Sequence, residues 1–236
     1  MAQVVYYFVA SLQLGGPERK LAFSVPTGNF GDVFAGHVAA RMGLPIEQLV
    51  VATNVNDILH RALSAGDYSA GTVTPTAAPS MDIQVSSNFE RLLFDVGGRD
   101  GAALAEQMRG FESTRAMQLT NAQREGAARL FTSLRADEHD MASAMRWACE
   151  DCAQVIDPHT AIGLHAARAV ELPVGVPVVT LATAHPAKFP DAVERATGTR
   201  PSLPPRVGDL FAREEAYTEL AGTYEAVRDH IVGHAA

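Results

Sequence analysis

The chain has 236 residues, 47% of them hydrophobic, enough to bury one substantial core and too apolar for a disordered tail. Its net charge is −8 and its 19 Lys and Arg residues are scattered without a run, which argues against a protein built to neutralise a nucleic-acid backbone or an anionic membrane. Any anionic ligand must therefore be captured locally.

Residues 1–14 are the longest apolar stretch, interrupted by Gln3, Ser11 and Gln13 and short of the roughly 20 residues a membrane span needs. With no cationic residues ahead of it and no small-residue cleavage site, it does not read as a secretory signal. It is apolar almost all round, so a buried helix is expected there, with the true start upstream of Met1. Gly15, Gly16 and Pro17 end it, and 21–25 is an apolar run of strand length. A turn-rich loop over 26–32 precedes an amphipathic helix at about 33–42, closed by Gly43 and Pro45, and the next strand is 49–53. Strand, glycine loop, helix and strand make a βαβ unit, which implies parallel strands and a right-handed crossover.

Residues 54–65 continue as helix with Asn54 or Asn56 as candidate N-cap, and the Thr/Pro/Ala-rich stretch 72–80 has loop composition. Apolar spacing predicts helices over 87–96, 101–109, 121–134, 138–153 and 158–170, the last opened by Asp157 as cap and Pro158 at its first position. Residues 176–182 read as a buried strand, and a closing helix places Leu220, Tyr224, Val227 and Ile231 on one face. With no repeat and no long linker, one α/β unit over 1–236 is expected, without a second independent domain. Cys149 and Cys152 have C-x-x-C spacing, but His139 and His159 lie in other predicted elements, so packing on a helix is expected rather than zinc or redox chemistry. Two cysteines give no disulfide framework, and no targeting segment is visible, which suggests a cytoplasmic location.

The chemistry concentrates in Gly28, Asn29, Phe30, Gly31 and Asp32. A glycine-rich turn between a strand and a helix aims several backbone N–H groups into one small volume, and the helix N-terminus adds roughly half a positive charge. Such a concavity holds a phosphate without lysine or arginine. The stretch matches neither G-x-G-x-x-G nor G-x-x-x-x-G-K-[ST], so a nucleotide loop is disfavoured. Glycines that merely make a tight turn explain the spacing as well.

In context, SVPTGNFGD at 24–32 resembles the pyridoxal-phosphate (PLP) phosphate loop of threonine synthases, members of the fold-type-II PLP enzymes. MAQVVYYF at 1–8, PSMDIQVSSNFERLLF at 79–94 and ATAHPAKF at 182–189 are similar to family segments in the same order, and together they span most of the chain. The resemblance implies an α/β fold with a parallel sheet flanked by helices, tryptophan-synthase-β-like and incomplete at the N-terminus. It implies that Gly28, Asn29, Phe30, Gly31 and Asp32 cradle the cofactor phosphate, mostly through backbone, and that Thr183 faces the pyridine nitrogen. Asp32 is better suited to starting the helix than to touching phosphate, since two anions in contact repel. The family reaction converts O-phosphohomoserine and water to threonine and phosphate.

The sequence departs from the family in its lysines. It has two, Lys20 and Lys188, and neither sits in a setting like that of the lysine that carries the family's cofactor. That lysine is expected upstream of this chain, so no catalytic residue is assigned, and this polypeptide alone is not expected to catalyse the reaction or to be very stable. The alternatives are a non-catalytic PLP-binding remnant or interaction protein, and another fold-type-II lyase such as a serine/threonine dehydratase. Ser80, Asp82, Ser86, Ser87 and Asn88 could line the substrate side or cap a helix, Arg91 could meet substrate phosphate or solvent, and His185 could touch the site or serve structure. Asp157-Pro158-His159-Thr160 is fully accounted for as a helix start.

Overall fold

A computed structural model describes residues 2–234. Four parallel strands, β1 (Leu21–Pro26), β2 (Ile46–Thr53), β3 (Phe131–Arg135) and β4 (Val178–Thr180), stand in the order β3-β2-β1-β4. Side chains alternate across a strand, so each inner strand feeds two cores. Leu21, Phe23 and Val25 of β1 with Leu49 and Val51 of β2 join one cluster, against Tyr7, Val33 and Phe89. Val50 and Ala52 of β2 face the other way, onto Met81, Met145 and Ile162.

Helices cover both faces: α1 (Val4–Gln13), α2 (Gly31–Arg41), α3 (Ile58–Ala65), α4 (Phe89–Val96), α5 (Gly101–Thr114) and α6 (Asn121–Ala128), then α7 (Glu138–Cys152), α8 (Pro158–Ala169) and α9 (Pro190–Thr197). The βαβ unit β1-α2-β2 forms as expected, with parallel pairing from Ala22↔Gln48 to Pro26↔Ala52. The contacts divide the chain into two compact units, Met1–Pro201 and Ser202–Ala236. The second unit carries α10 (Tyr224–His234), and none of its described residues is buried, so it has no core of its own.

Several expectations need correction. Residues 121–134 are not one helix: α6 ends at Ala128 and Phe131–Arg135 is a strand paired with β2. Thr132 and Ser133 are poor helix formers, and pairing with β2 outweighs the local helical spacing. β4 is three half-buried residues at the sheet edge, not a buried strand over 176–182. α3 starts at Ile58, because Asn54 and Asn56 spend their side chains on Asp82 instead of capping a helix. α1 buries Val4, Tyr7 and Ser11, while Val5, Tyr6, Val9 and Leu12 are exposed. Leu220 lies outside α10, and Tyr224, Val227 and Ile231 are exposed. Cys149 is half-buried and Cys152 exposed at the end of α7, so packing accounts for the first alone.

α1 seats on α2 at Gly36, where a Cβ would stand 2.6 Å from the Tyr7 ring and 2.8 Å from Leu49 Cδ2. Tyr7 is fully buried against Phe23, with ring centroids 4.8 Å apart, and cannot swing away. Gly36→Ala gains about 1 kcal/mol of helix propensity but overpacks this contact by about 1–3 kcal/mol. A lowered urea midpoint is expected; an unchanged or raised midpoint would contradict this packing.

Candidate functional site

The strand order places the candidate site. β2 and β3 lie to one side of β1 and β4 to the other, so the chain reverses direction across the sheet at the β1/β4 boundary. In open parallel sheets, ligands bind in the crevice outside the carboxyl ends of the strands at this switch point. Registers Ser24↔Thr180 and Pro26↔Ala52 bring the ends of β1, β2 and β4 to one edge. The loop holding Gly28 and the segment holding Thr183 thus leave the sheet on either side of the crevice.

Between β1 and α2 the backbone turns through Phe30, a non-glycine residue with φ of 65°. A left-handed non-glycine residue costs of order 1–3 kcal/mol. The Phe30 side chain offsets this by burial, packed on Phe89 at 5.2 Å and Phe131 at 5.7 Å between centroids. Phe30 therefore anchors the loop and offers a ligand only its backbone. No side chain caps α2. Among the described residues, the N–H groups of Gly28 and Asn29 find no protein acceptor, while the carbonyls of the same two residues are taken. Ser86 Oγ donates to Gly28 O at 2.9 Å, and Asn88 donates its backbone N–H (3.2 Å) and Nδ2 (2.7 Å) to Asn29 O. Occupied carbonyls and free N–H groups at a helix start make this turn a candidate anion cup. A Cβ on Gly28 would stand 2.6 Å from Ser80 O, so glycine is what lets the loop and the 79–82 segment meet.

Asp32 turns away from the cup. The Tyr7 hydroxyl lies 2.8 Å from Asp32 O and 3.3 Å from its Oδ1, and burial raises the Asp32 pKa above the ordinary carboxylate value. It belongs to the start of α2 and to the α1–α2 contact.

Opposite the cup, Asp157 is fully buried and caps α8. His159 Nδ1 donates to Asp157 Oδ2 at 2.8 Å, leaving Nε2 to accept the Ser80 N–H at 3.2 Å. The Thr160 hydroxyl donates to Asp157 Oδ1 and its oxygen accepts the Thr183 N–H at 3.3 Å. One carboxylate thus ties the 79–82 segment and the segment after β4 to the same helix end. Burial raises the Asp157 pKa, but hydrogen bonds from His159 and Thr160 outweigh it and leave the carboxyl below its ordinary value.

These segments enclose a cavity of about 150 Å³ lined by Gly28, Ser80, His159, Thr183, Lys188 and Phe189 among others. Of the residues singled out in the sequence, Gly28, Ser80 and Thr183 meet on this cavity, while Asn29, Phe30, Gly31 and Asp32 do not line it. Asp157, His159 and Thr160 stand in the sequence only as a helix start, because a cap explains Asp157 and Pro158 without a site. Ser86 and Asn88 support the loop and cap nothing, and the Asp82 carboxylate accepts from Asn54, Asn56 and Thr76. His185 Nδ1 accepts the Ala187 N–H, a structural role. A larger cavity of about 670 Å³, lined by Phe34, Arg91 and Met108 among others, contains none of the cup residues.

A family model described as threonine synthase, C-terminal, matches residues 160–231. Threonine synthase of Pseudomonas aeruginosa is 50% identical over 235 residues, covering 99% of this chain and 50% of that protein. The chain belongs to the threonine synthase family. A crystal structure of PLP-bound threonine synthase from Brucella melitensis matches with a TM-score of 0.92 at 47% identity, over 99% of this chain and 50% of that one. Threonine synthase from yeast matches with a TM-score of 0.84 at 35% identity, over 91% and 47%. The fold is therefore the fold-type-II architecture, and the chain spans about half the length of the threonine synthases it matches.

The Asp157 node makes a pH-dependent prediction for this member of the threonine synthase family. Asp157→Asn removes a charge-assisted acceptor from buried donors and should cost about 2 kcal/mol at pH 7. A depressed folded pKa contributes stability that is fully present above the unfolded value of about 3.9 and is lost as pH falls through the folded value. Urea unfolding should show a gap between the two proteins at pH 7 that narrows below about pH 4. A gap independent of pH would contradict the assignment.

Proposed function

We propose that the chain carries the cofactor-phosphate side of a PLP-dependent threonine synthase that converts O-phosphohomoserine and water to threonine and phosphate, a cytoplasmic step of threonine biosynthesis. The carrying observation is the unpaired N–H groups of Gly28 and Asn29 at the uncapped start of α2, together with the cavity that Gly28 shares with Thr183. The cup fits a phosphate monoester: its donors are neutral and fixed, and a Cβ at Gly28 would close it.

PLP, when bound, supplies an electron sink for carbanion chemistry on an amino-acid substrate. The residues of this chain hold and orient it. Gly28 and Asn29 would donate backbone N–H groups to its phosphate, with Gly31 and Asp32 contributing the helix N-terminus. Thr183 would meet the ring nitrogen with a neutral hydroxyl, which leaves that nitrogen without a counter-charge. Thr160 fixes Thr183 through its N–H, and Asp157 fixes Thr160. Lys20 is paired with Glu47 at 3.0 Å on the surface, remote in role from the cup. We place the cofactor-bearing lysine in the half of the family's length that this chain does not span, and we propose that residues 202–236 append to the same catalytic region.

The test is a chimera in which this chain replaces the matching half of the Pseudomonas aeruginosa enzyme. Threonine and phosphate should form from O-phosphohomoserine, and Gly28→Val should reduce turnover by at least about a hundredfold, the scale expected when a positioning contact is lost. A folded chimera that binds PLP but dehydrates serine in place of this reaction would establish the other lyase class. One that binds PLP and turns over nothing would favour a binding remnant.

A further inference from the structure

We infer that Lys188 is the cation of a phosphate-monoester subsite in the 150 Å³ cavity between Gly28, Ser80, His159 and Thr183. The inference rests on the proposed function and adds a side-chain charge to a cup otherwise built from backbone. Lys188 is the one charged residue among those lining the cavity. Among the described residues no carboxylate stands within ion-pair distance of it, in contrast to Lys20, which Glu47 neutralises at 3.0 Å. The Phe189 ring centroid is 5.9 Å from its ammonium, at the outer limit of a cation–π contact and no substitute for an anion. The buried Asp157 carboxylate behind His159 is already engaged by His159 and Thr160. In a chain of net charge −8, a cavity whose lining holds a lone unpaired cation selects anions.

The position of Lys188 is fixed from behind. It ends a 3-10 turn, Pro186–Lys188, whose Ala187 is buried and donates its N–H to His185 Nδ1 at 3.1 Å. The Lys188 N–H bonds His185 O at 3.0 Å, and the next residue, Phe189, packs on His159 at 4.8 Å between centroids. The backbone is held while the side chain retains rotamer freedom to follow a ligand. The cavity volume is about five times the ~30 Å³ share of a water molecule. That leaves room for a phosphoryl group beside Lys188. Both the cofactor and the substrate of the proposed reaction carry such a group, and the experiment separates them.

Calorimetric titration of the 236-residue chain would use pyridoxine 5′-phosphate, which has the cofactor's phosphate without its aldehyde, and O-phosphohomoserine. Unphosphorylated pyridoxine is the control ligand. Lys188→Met should weaken one ester by at least about tenfold and leave pyridoxine unchanged, whereas Lys188→Arg should stay within about threefold of the unaltered chain. The ester affected names the phosphate that Lys188 holds. Unchanged affinity for both esters in Lys188→Met, or an equal loss in the surface control Lys20→Met, would overturn the inference. Gly28→Val separates it from the broader reading: if that substitution abolishes ester binding and Lys188→Met does not, the cup stands and the subsite falls, and the reverse result does the opposite. Failure of the unaltered chain to bind either ester overturns both. A borohydride-reduced PLP adduct mapping to Lys188 would make it a nucleophile and would also overturn the assignment.

Discussion

The parallel pairing of β1 with both β2 and β4 is the constraint on which the site depends. A strand paired on both sides must hand its backbone to a loop at the same edge where its neighbours end, and here the strand order reverses at that place. The crevice follows from topology before any side chain is considered. What the side chains add is the refusal to fill it. Phe30 is drawn into the core, Asp32 is drawn toward Tyr7, and the two carbonyls of the turn are occupied by Ser86 and Asn88. Among the described residues, the backbone N–H groups of Gly28 and Asn29, with the Asn29 side-chain amide, are left to recognise a ligand.

The opposite wall uses a different device. A buried carboxylate is costly unless every lone pair is used, and Asp157 meets that demand by binding two backbone N–H groups of α8 together with His159 and Thr160. Those two side chains then reach Ser80 and Thr183, which belong to segments about a hundred residues apart in sequence. The desolvation cost of the charge and the alignment of the site are thus settled by the same hydrogen bonds. Gly28 completes the arrangement from the other side, because its missing Cβ allows Ser80 to approach.

The β1-α2-β2 unit is legible in the sequence because its signals agree: apolar strands, a glycine turn, an amphipathic helix and a closing Gly43. The turn over 28–32 is legible for the same reason, since these residues sit where a strand meets a helix. β3 is not legible, because Phe131 and Leu134 also suit a helix and only the presence of β2 decides between them. Asn54 and Asn56 read as caps by composition, yet Asp82, 26 residues or more away, claims their amides. Asp157 is the instructive case. Its local role as a cap is correct and conceals the tertiary role, which needs Ser80 and Thr183 to be in place. The outward-facing Val5, Tyr6, Val9 and Leu12 of α1 show the limit of apolar composition as a guide to burial.

The most direct test of the account is amide chemical-shift mapping of the isotope-labelled chain with pyridoxine 5′-phosphate. Perturbations confined to Gly28 to Val33, with a second set at Ser80 and Thr183 across the switch point, are the predicted result. Perturbations centred instead on Phe34, Phe94 and Met108 around the larger cavity would contradict it, because the phosphate would then be recognised away from the strand ends.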